Sequence, residues 1–185
     1  AKDLRQLLGR PIRVCDPFCG VGPALSTLLS EPGLVGEILA SDLNPDAVEL
    51  LIDNLRRWDG RSYPKDSAPL SRVFDDRFIG VADATKLCED PELTGRWDLL
   101  IVNLPHRTID LLPSLVPLLD RKTPSMVRGR VIAPENEIDD ANHSIRSNLP
   151  DTLEGFPDPA LRIKSDYSSK LRLCSFHAWI APVEV

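Results

Sequence analysis

Short aliphatic runs alternate along the chain with segments whose apolar residues recur at helical spacing. Residues 12–16 and 36–42 are predicted to form the first two strands. Pro23 stands between them, where a helix can begin. Asn44 and Pro45 form a strong helix start, because Asn is a favoured N-cap and Pro a favoured first helical residue. The helix that follows has one apolar stripe for packing on a sheet, formed by Val48, Leu51, Ile52 and Leu55.

The second half of the chain continues this alternation. Residues 59–75 are rich in Asp, Ser, Pro and Arg and are predicted to be a loop. Further elements are predicted as strands at residues 78–82, 97–103 and 128–133, and as helices at residues 111–119 and 137–146. The last two strands, residues 161–167 and 171–181, are expected to pair as an antiparallel hairpin. The pattern predicts an α/β fold with a mostly parallel seven-stranded sheet, helices on both faces and this C-terminal hairpin.

The composition is that of one globular domain spanning residues 1–185, with 42% hydrophobic and 27% charged residues. No apolar run approaches the ~20 residues that a membrane span needs, so no membrane partner is expected. The four cysteines lack CxxC and zinc-ligand spacing, which favours free thiols in a reducing compartment. A cytoplasmic location is therefore expected.

Positive charges are unevenly placed in a chain whose net charge is −6. The net charge argues against a general affinity for nucleic acid. Two clusters nevertheless predict a local basic surface, although a solvated face is the simpler alternative for each. The first cluster comprises Arg121, Lys122, Arg128 and Arg130, and the second comprises Arg162, Lys164, Lys170 and Arg172.

A glycine loop, Asp16-Pro17-Phe18-Cys19-Gly20-Val21-Gly22, ends the first predicted strand and opens the first helix. Ligands of open α/β sheets bind at this position. Gly20 and Gly22 let the backbone approach a ligand closely, and Asp42 ends the second strand where Rossmann folds bind ribose hydroxyls. Asp83 follows the third predicted strand. Each residue alone is explained by a turn or a helix cap, but together they predict a nucleotide-like cofactor.

Two cofactors compete for this pattern. The NAD fingerprint GxGxxG requires a third glycine, and this chain has Leu25 there. The spacing from Asp16 to Gly20 and Gly22 instead follows the DxxxGxG pattern of S-adenosylmethionine enzymes. S-adenosylmethionine is therefore the predicted cofactor.

The fourth predicted strand ends in Asn103-Leu104-Pro105-His106. Many enzymes that methylate amino groups place Asn-Pro-Pro-Tyr or a variant at this position. An Asn amide and neighbouring carbonyls can hydrogen-bond a base edge, and the proline keeps the turn rigid. Asn103, Pro105 and His106 are accordingly the predicted catalytic residues.

These segments together resemble the catalytic domain of the archaeal and eukaryotic tRNA (guanine-N1)-methyltransferases. The resemblance is carried by DPFCGVGP, ASDLNPDAVELLIDNL, VADA and IVNLP, and covers about residues 11–120. It implies a Rossmann-like class I methyltransferase fold and a tRNA partner, with additional RNA-binding domains or a partner protein. The order Asn-Leu-Pro favours these enzymes over related aminocarboxypropyl transferases, and no Pro-Pro-aromatic motif of THUMP-associated methyltransferases is present.

Site roles follow from the resemblance position by position. Phe18, Gly20 and Gly22 would line the methionine end of the cofactor, beside Asp16. Asp42 would hold the ribose and Asp83 the adenine. Asn103 would lie between cofactor and target base, and Pro105 would help to position that base.

One departure concerns the base that removes the guanine N1 proton. The family uses a glutamate upstream of the glycine loop, and the first glutamate here is Glu31. His106 is a candidate replacement, because histidine exchanges protons near neutral pH; its alternative is an ordinary loop histidine. Two other functions therefore stay open: a non-catalytic cofactor- or RNA-binding subunit, and a methyltransferase of a small molecule or protein.

The remaining polar and aromatic candidates have simpler interpretations. Glu135, Asp139 and His143 share a predicted helix face, where solvation is favoured over metal binding, so no metal is expected. His177 is predicted to be structural. Tyr167 and Trp179 are predicted to pack in the core or at a sheet edge.

Overall fold

The computed structural model describes residues 1–183, and its amino-terminal half builds two strands and three helices. A short helix, α1 (Lys2–Leu8), precedes β1 (Ile12–Asp16), α2 (Pro23–Leu29), β2 (Val35–Asp42) and α3 (Pro45–Asp59). Helix α3 begins as the sequence predicts, because the Asn44 side chain accepts a hydrogen bond from the Asp46 amide at 3.0 Å. It ends at Gly60, whose left-handed φ of 71° closes the last turn.

The second half of the chain completes the sheet and covers its other face. Its strands are β3 (Ser71–Phe74), β4 (Arg77–Val81), β5 (Leu99–Val102), β6 (Ser125–Pro134), β7 (Arg162–Asp166) and β8 (Leu171–Ile180). Its helices are α4 (Thr108–Leu115) and α5 (Ile138–Ser147), with 3-10 turns at Ala84–Glu89, Val116–Leu118 and Glu135–Glu137. No helix within residues 1–183 is long and apolar enough to cross a membrane.

One mixed sheet holds the eight strands of the described residues, in the order β3-β4-β2-β1-β5-β6-β8-β7. Strands β4, β2, β1, β5 and β6 are parallel, whereas β3, β8 and β7 join through antiparallel ladders. The connection after β1 leads to β2 on one side, and the connection after β5 leads to β6 on the other side. Because these two connections diverge, they leave a crevice between β1 and β5 at the carboxyl edge of the sheet. This edge carries the residues that follow β1, β2, β4 and β5.

Helices cover the two faces of the sheet with separate apolar clusters. One cluster joins α1, α2 and α3 to the sheet, through Leu4, Leu25, Leu51 and Leu55 against Ile12 and Ile38. The other joins α4 and α5 to the opposite face, through Leu112, Leu115 and Ile145 against Leu100 and Val127. These aliphatic stripes bury completely or nearly so, and they fix which strand ends reach the carboxyl edge.

The predicted strand count of seven is wrong, because residues 1–183 form eight strands. The additional strand is Ser71–Phe74, inside the segment predicted to be a loop. It is a half-polar edge strand with a bulged antiparallel ladder to β4, and such strands need no aliphatic run because one side remains solvated. The other seven predicted strands are present. The helix predicted at residues 111–119 begins earlier, at Thr108, and tightens after Leu115 into a 3-10 turn that contains Pro117.

An ion-pair cluster lies at the amino edge of the parallel strands, opposite the crevice. The Asp98 carboxylate is fully buried and accepts hydrogen bonds from Arg10 at 2.6 and 2.8 Å. The Arg13 guanidinium reaches both Asp98 at 2.7 Å and Asp120 at 2.6 Å. Burial alone would raise the pKa of Asp98, but the hydrogen bonds from Arg10 and Arg13 outweigh it and hold that pKa below its usual range. The cluster therefore keeps the Asp98 carboxylate ionised.

Candidate active site

Asp16 is the last residue of β1 and lies almost completely buried beneath the glycine loop. Its Oδ1 atom has no hydrogen-bond partner among the described residues. Burial, opposed by the hydrogen bond from the Phe18 amide and aided by the nearby Asp42 carboxylate, raises the pKa of Asp16 to about 7. A buried carboxyl group with a free oxygen atom is thus present at the start of the crevice.

This carboxyl group should impose a pH dependence on folding. Between about pH 4 and pH 7 the folded chain keeps the Asp16 proton, while the unfolded chain, with a pKa of 3.8, has released it. Folding therefore takes up a proton, and the Asp16 contribution to stability falls as the pH rises. We expect Asp16→Asn to stabilise the protein more at about pH 7.5 than at about pH 4.5, by up to ~3 kcal/mol. Urea unfolding of both proteins at both pH values measures this; an equal effect at the two pH values contradicts it.

The two glycines of the loop have different structural roles. Gly22 has a φ of 86°, and a Cβ atom there would lie 2.6 Å from the Leu51 side chain and 3.0 Å from that of Trp58. Gly22 therefore lets the loop pack on α3. Gly20 has a φ of 52°, yet a Cβ atom there would meet no heavy atom within 4 Å. Its surroundings form an open cradle at the carboxyl edge, as expected of a backbone that a ligand approaches.

Asp42 connects the glycine loop to the end of β2. Its Oδ2 accepts a hydrogen bond from the Gly20 amide at 2.9 Å, and its Oδ1 accepts one from the Asn44 amide at 3.0 Å. Carboxylate oxygens have further lone pairs, so both can still accept from a ligand hydroxyl. The next side chain, Leu43, is 71% exposed, and Val21 on the facing loop is 41% exposed. Carboxylate and apolar surface thus lie together beside the Gly20 cradle.

Asp83 follows β4, which lies beside β2 at the same edge. Its carboxylate accepts hydrogen bonds from the Thr85 amide at 3.0 Å and the Thr85 hydroxyl at 2.7 Å. These two bonds lower the pKa of Asp83. The side chain caps the following 3-10 turn, so its predicted adenine contact stays a prediction.

The turn after β5 is held rigidly beside β6. Asn103 follows β5 directly and is half-buried. The Pro105 carbonyl accepts a hydrogen bond from the Ile132 amide of β6 at 3.0 Å. The Thr108 hydroxyl donates to the Leu104 carbonyl at 3.0 Å and closes the start of α4. Strand β6 and helix α4 therefore fix where Asn103 stands relative to the loop after β1.

His106 has an aromatic neighbour that the sequence analysis missed. Tyr167 directly follows the edge strand β7, at one of the two predicted positions, and is 53% exposed; its hydroxyl lies 3.2 Å from Nε2 of His106. The two rings meet edge to face with centroids 5.5 Å apart. The pairing of β8 with β6 places the tip of the last hairpin beside the turn after β5. The contact therefore cannot be predicted from the spacing of residues along the sequence. Trp179 does pack as predicted: its ring lies against that of Phe156, with the ring centroids 4.4 Å apart.

Other sequence candidates lie outside this crevice. Glu135 pairs with Arg172 at 2.7 Å. Within residues 1–183, no group of three His, Cys, Asp or Glu side chains has the geometry to hold a metal ion. Cys15, Cys19 and Cys174 are buried free thiols, and Cys88 is partly buried.

The sheet order and the crevice define a Rossmann-like fold of the class I methyltransferase type, and solved structures share it. TYW2 from M. jannaschii, in complex with AdoMet, superposes with a TM-score of 0.68 at 15% identity over 98% of this chain and 75% of that one. The M. jannaschii tRNA m1G37 methyltransferase gives a TM-score of 0.65 at 17% identity over 98% of this chain and 49% of that one. A complex of aTrm5 with tRNALeu gives 0.65 at 18% identity over 97% of this chain and 44% of that one.

These similarities confirm the predicted Rossmann-like fold. The chain spans about half the length of the m1G37 methyltransferase and less than half of aTrm5. No protein-family model matches the chain, and no curated protein matches it in sequence.

Proposed function

We propose that this chain is an S-adenosylmethionine-dependent methyltransferase domain that acts on a base of tRNA, with guanine N1 as the target atom. One observation carries the proposal: the open Gly20 cradle, the Asp42 carboxylate and the Asn103 turn lie at the ends of adjacent parallel strands, β1, β2 and β5. The fold is also that of structures described with AdoMet and with tRNALeu.

The residues at the crevice fit the cofactor chemically. The Gly20 backbone and the buried Asp16 carboxyl group would face the methionine end, with Phe18 and Gly22 in the same loop. Asp42 would accept hydrogen bonds from ribose hydroxyls, and Asp83 lies at the next strand end for the adenine. S-adenosylmethionine supplies a methyl group bound to a positively charged sulfur, which a nucleophilic ring nitrogen can attack.

The residues of the turn after β5 would manage the target base. Asn103 offers both a hydrogen-bond donor and an acceptor to the base edge, and the anchored Pro105 holds the turn in place. Guanine N1 carries a proton that must leave, and His106 is the residue we assign to accept it. The Tyr167 hydroxyl, 3.2 Å from Nε2, would hold the imidazole ring.

Methyl transfer to RNA tests this function directly. The chain is incubated with unmodified tRNA and S-adenosylmethionine labelled in its methyl group, and the tRNA is digested to nucleosides for mass spectrometry. Label in 1-methylguanosine is the expected result. Label in another nucleoside corrects the target atom. Cofactor binding without label in any RNA favours the non-catalytic subunit, and transfer to a small molecule or protein alone favours the third alternative.

The Gly20 cradle gives a sharper test of cofactor binding. We expect Gly20→Ala to weaken S-adenosylmethionine binding roughly 10- to 100-fold, because a methyl group placed in a fitted space costs about 1–3 kcal/mol. Gly95→Ala is the matched control, since Gly95 also has a positive φ, of 67°, and open surroundings, but lies before β5 at the far edge. Both variants should lose similar thermal stability. Calorimetric titration showing equal affinity in both would remove the cofactor from this cradle.

A further inference from the structure

The antiparallel part of the sheet gathers positive charges from two distant stretches of sequence. Arg128 and Arg130 are exposed on β6, and Arg162 and Lys164 are exposed on β7. In the ladder, Ser175 of β8 lies opposite both Arg130 and Arg162, so these two arginines flank one residue across three strands. Adjacent strands are about 4.8 Å apart, which places the two backbones within about 10 Å.

His177 lies on the same face as these cations. It lies opposite Arg128 on β8, two residues from Ser175 and therefore on the same face. Its pKa is lowered by partial burial and then by positive charges that include those of Arg162, Arg128 and Lys164. We call the face formed by Arg128, Arg130, Arg162, Lys164 and His177 the basic face.

The charges of the basic face are not neutralised within residues 1–183. No carboxylate lies within ion-pair distance of the arginines or the lysine of this face in that part of the chain, although Arg172 of the same hairpin pairs with Glu135 and Asp166. Several arginines elsewhere are paired with carboxylates, among them Arg10, Arg13, Arg61, Arg77 and Arg96. A concentration of unpaired positive charge in an acidic protein favours an anionic partner.

Strand β7 connects the basic face to the candidate active site. It begins at Arg162 and ends at Asp166, and the next residue, Tyr167, contacts His106. Strand β6 runs the same way, from Arg128 past Arg130 to Ile132, which bonds to Pro105. An extended polyanion lying along these strands would therefore reach the turn that carries Asn103.

We propose that the basic face binds the phosphate backbone of the RNA substrate and leads it to the crevice. This inference rests on the proposed function for its choice of RNA. Backbone contacts of this kind position a nucleic acid without reading its sequence. Each phosphate contact releases counterions, so binding should weaken with salt by a slope of about 0.7–0.9 per contact in log–log form.

Two paired substitutions of equal charge test the proposal. Arg128→Gln with Arg130→Gln removes two charges from the basic face. Arg57→Gln with Lys65→Gln, on and after α3, removes two exposed charges over the other half of the sheet. The affinity for unmodified tRNA is measured by fluorescence anisotropy between about 50 and 200 mM salt, without cofactor. The magnitude of the log–log salt slope should fall by about 1.4–1.8 in the basic-face variant. Raising the salt fourfold should therefore weaken tRNA binding by this variant roughly 10-fold less than it weakens binding by the wild type.

The outcomes separate this proposal from the proposed function. An unchanged slope in the basic-face variant, or an equal change in the control pair, overturns the basic face even if methyl transfer to tRNA occurs. A reduced slope supports it even if no methyl group is transferred. Arg162→Gln alone should lower the slope by about half as much. Because it alters a fully exposed edge strand, this variant tests the proposal even if the double variant misfolds. Wild-type protein that does not bind tRNA also overturns it.

Discussion

Asn103→Ala should lower the rate of methyl transfer about 100-fold while leaving the affinity for S-adenosylmethionine nearly unchanged. The reason is the proposed role of Asn103: it follows β5 on a turn that is hydrogen-bonded to β6, two strands away from β2 and Asp42, and it would contact the target base. Losing the contact that orients a reactant typically costs about 100-fold, because the reacting atoms spend less time aligned. Single-turnover transfer at saturating cofactor and calorimetric titration measure the two quantities.

The split between the two measurements distinguishes positioning from general damage. Asn103→Ala with normal transfer rates would mean that the turn after β5 is only a connection. A parallel loss of cofactor affinity would instead place Asn103 in the cofactor site, because Asn103 is also predicted to contact the cofactor. Thermal unfolding of the variant should match that of the wild type, because Asn103 is only half-buried.

Asp98→Ala should destabilise the fold by about 3–5 kcal/mol, since it leaves two arginines beside a buried position without their common partner. Asp98 is fully buried, and Arg10 and Arg13 both donate to it. Asp53→Ala is the matched control, because Asp53 is half-exposed on α3 and forms one i,i+3 pair with Arg56. That control should lose no more than ~1 kcal/mol.

Urea unfolding of both variants, with free energies extrapolated to water, measures this difference. Similar losses in the two variants would show that the buried cluster contributes no more than a surface pair. Both substitutions lie away from the crevice, so cofactor affinity at low temperature should remain that of the wild type.

Elements with strong local signals could be predicted from the sequence. The aliphatic runs that became β1, β2 and β5 bury on both faces, and the start of α3 rests on the chemistry of Asn44 and Pro45 alone. The glycine loop also has a local signature, because Gly20 and Gly22 adopt positive φ values that other residues avoid.

The features that could not be predicted depend on distant residues or on exposure. Strand β3 escapes prediction because its edge position lets half of its side chains remain polar. The contact between Tyr167 and His106 joins residues 61 positions apart, through a hairpin whose place is set by the ladder of β8 with β6. The sequence shows two basic clusters, but only the sheet reveals that Arg130 and Arg162 face one another across β8 while Arg172 is neutralised elsewhere.

Strand β8 joins the last hairpin to the sheet through ten consecutive residue pairs with β6, whereas no strand within residues 1–183 pairs with the other edge of β7. The turn at residues 167–170 can therefore lengthen, shorten or change its side chains without altering the register of any parallel strand. If the hairpin contacts the RNA backbone and the parallel strands contact the cofactor, RNA affinity and cofactor affinity can change separately during evolution. Transplanting this hairpin between two chains of the same fold should then change the salt dependence of RNA binding and leave the cofactor dissociation constant of the recipient intact.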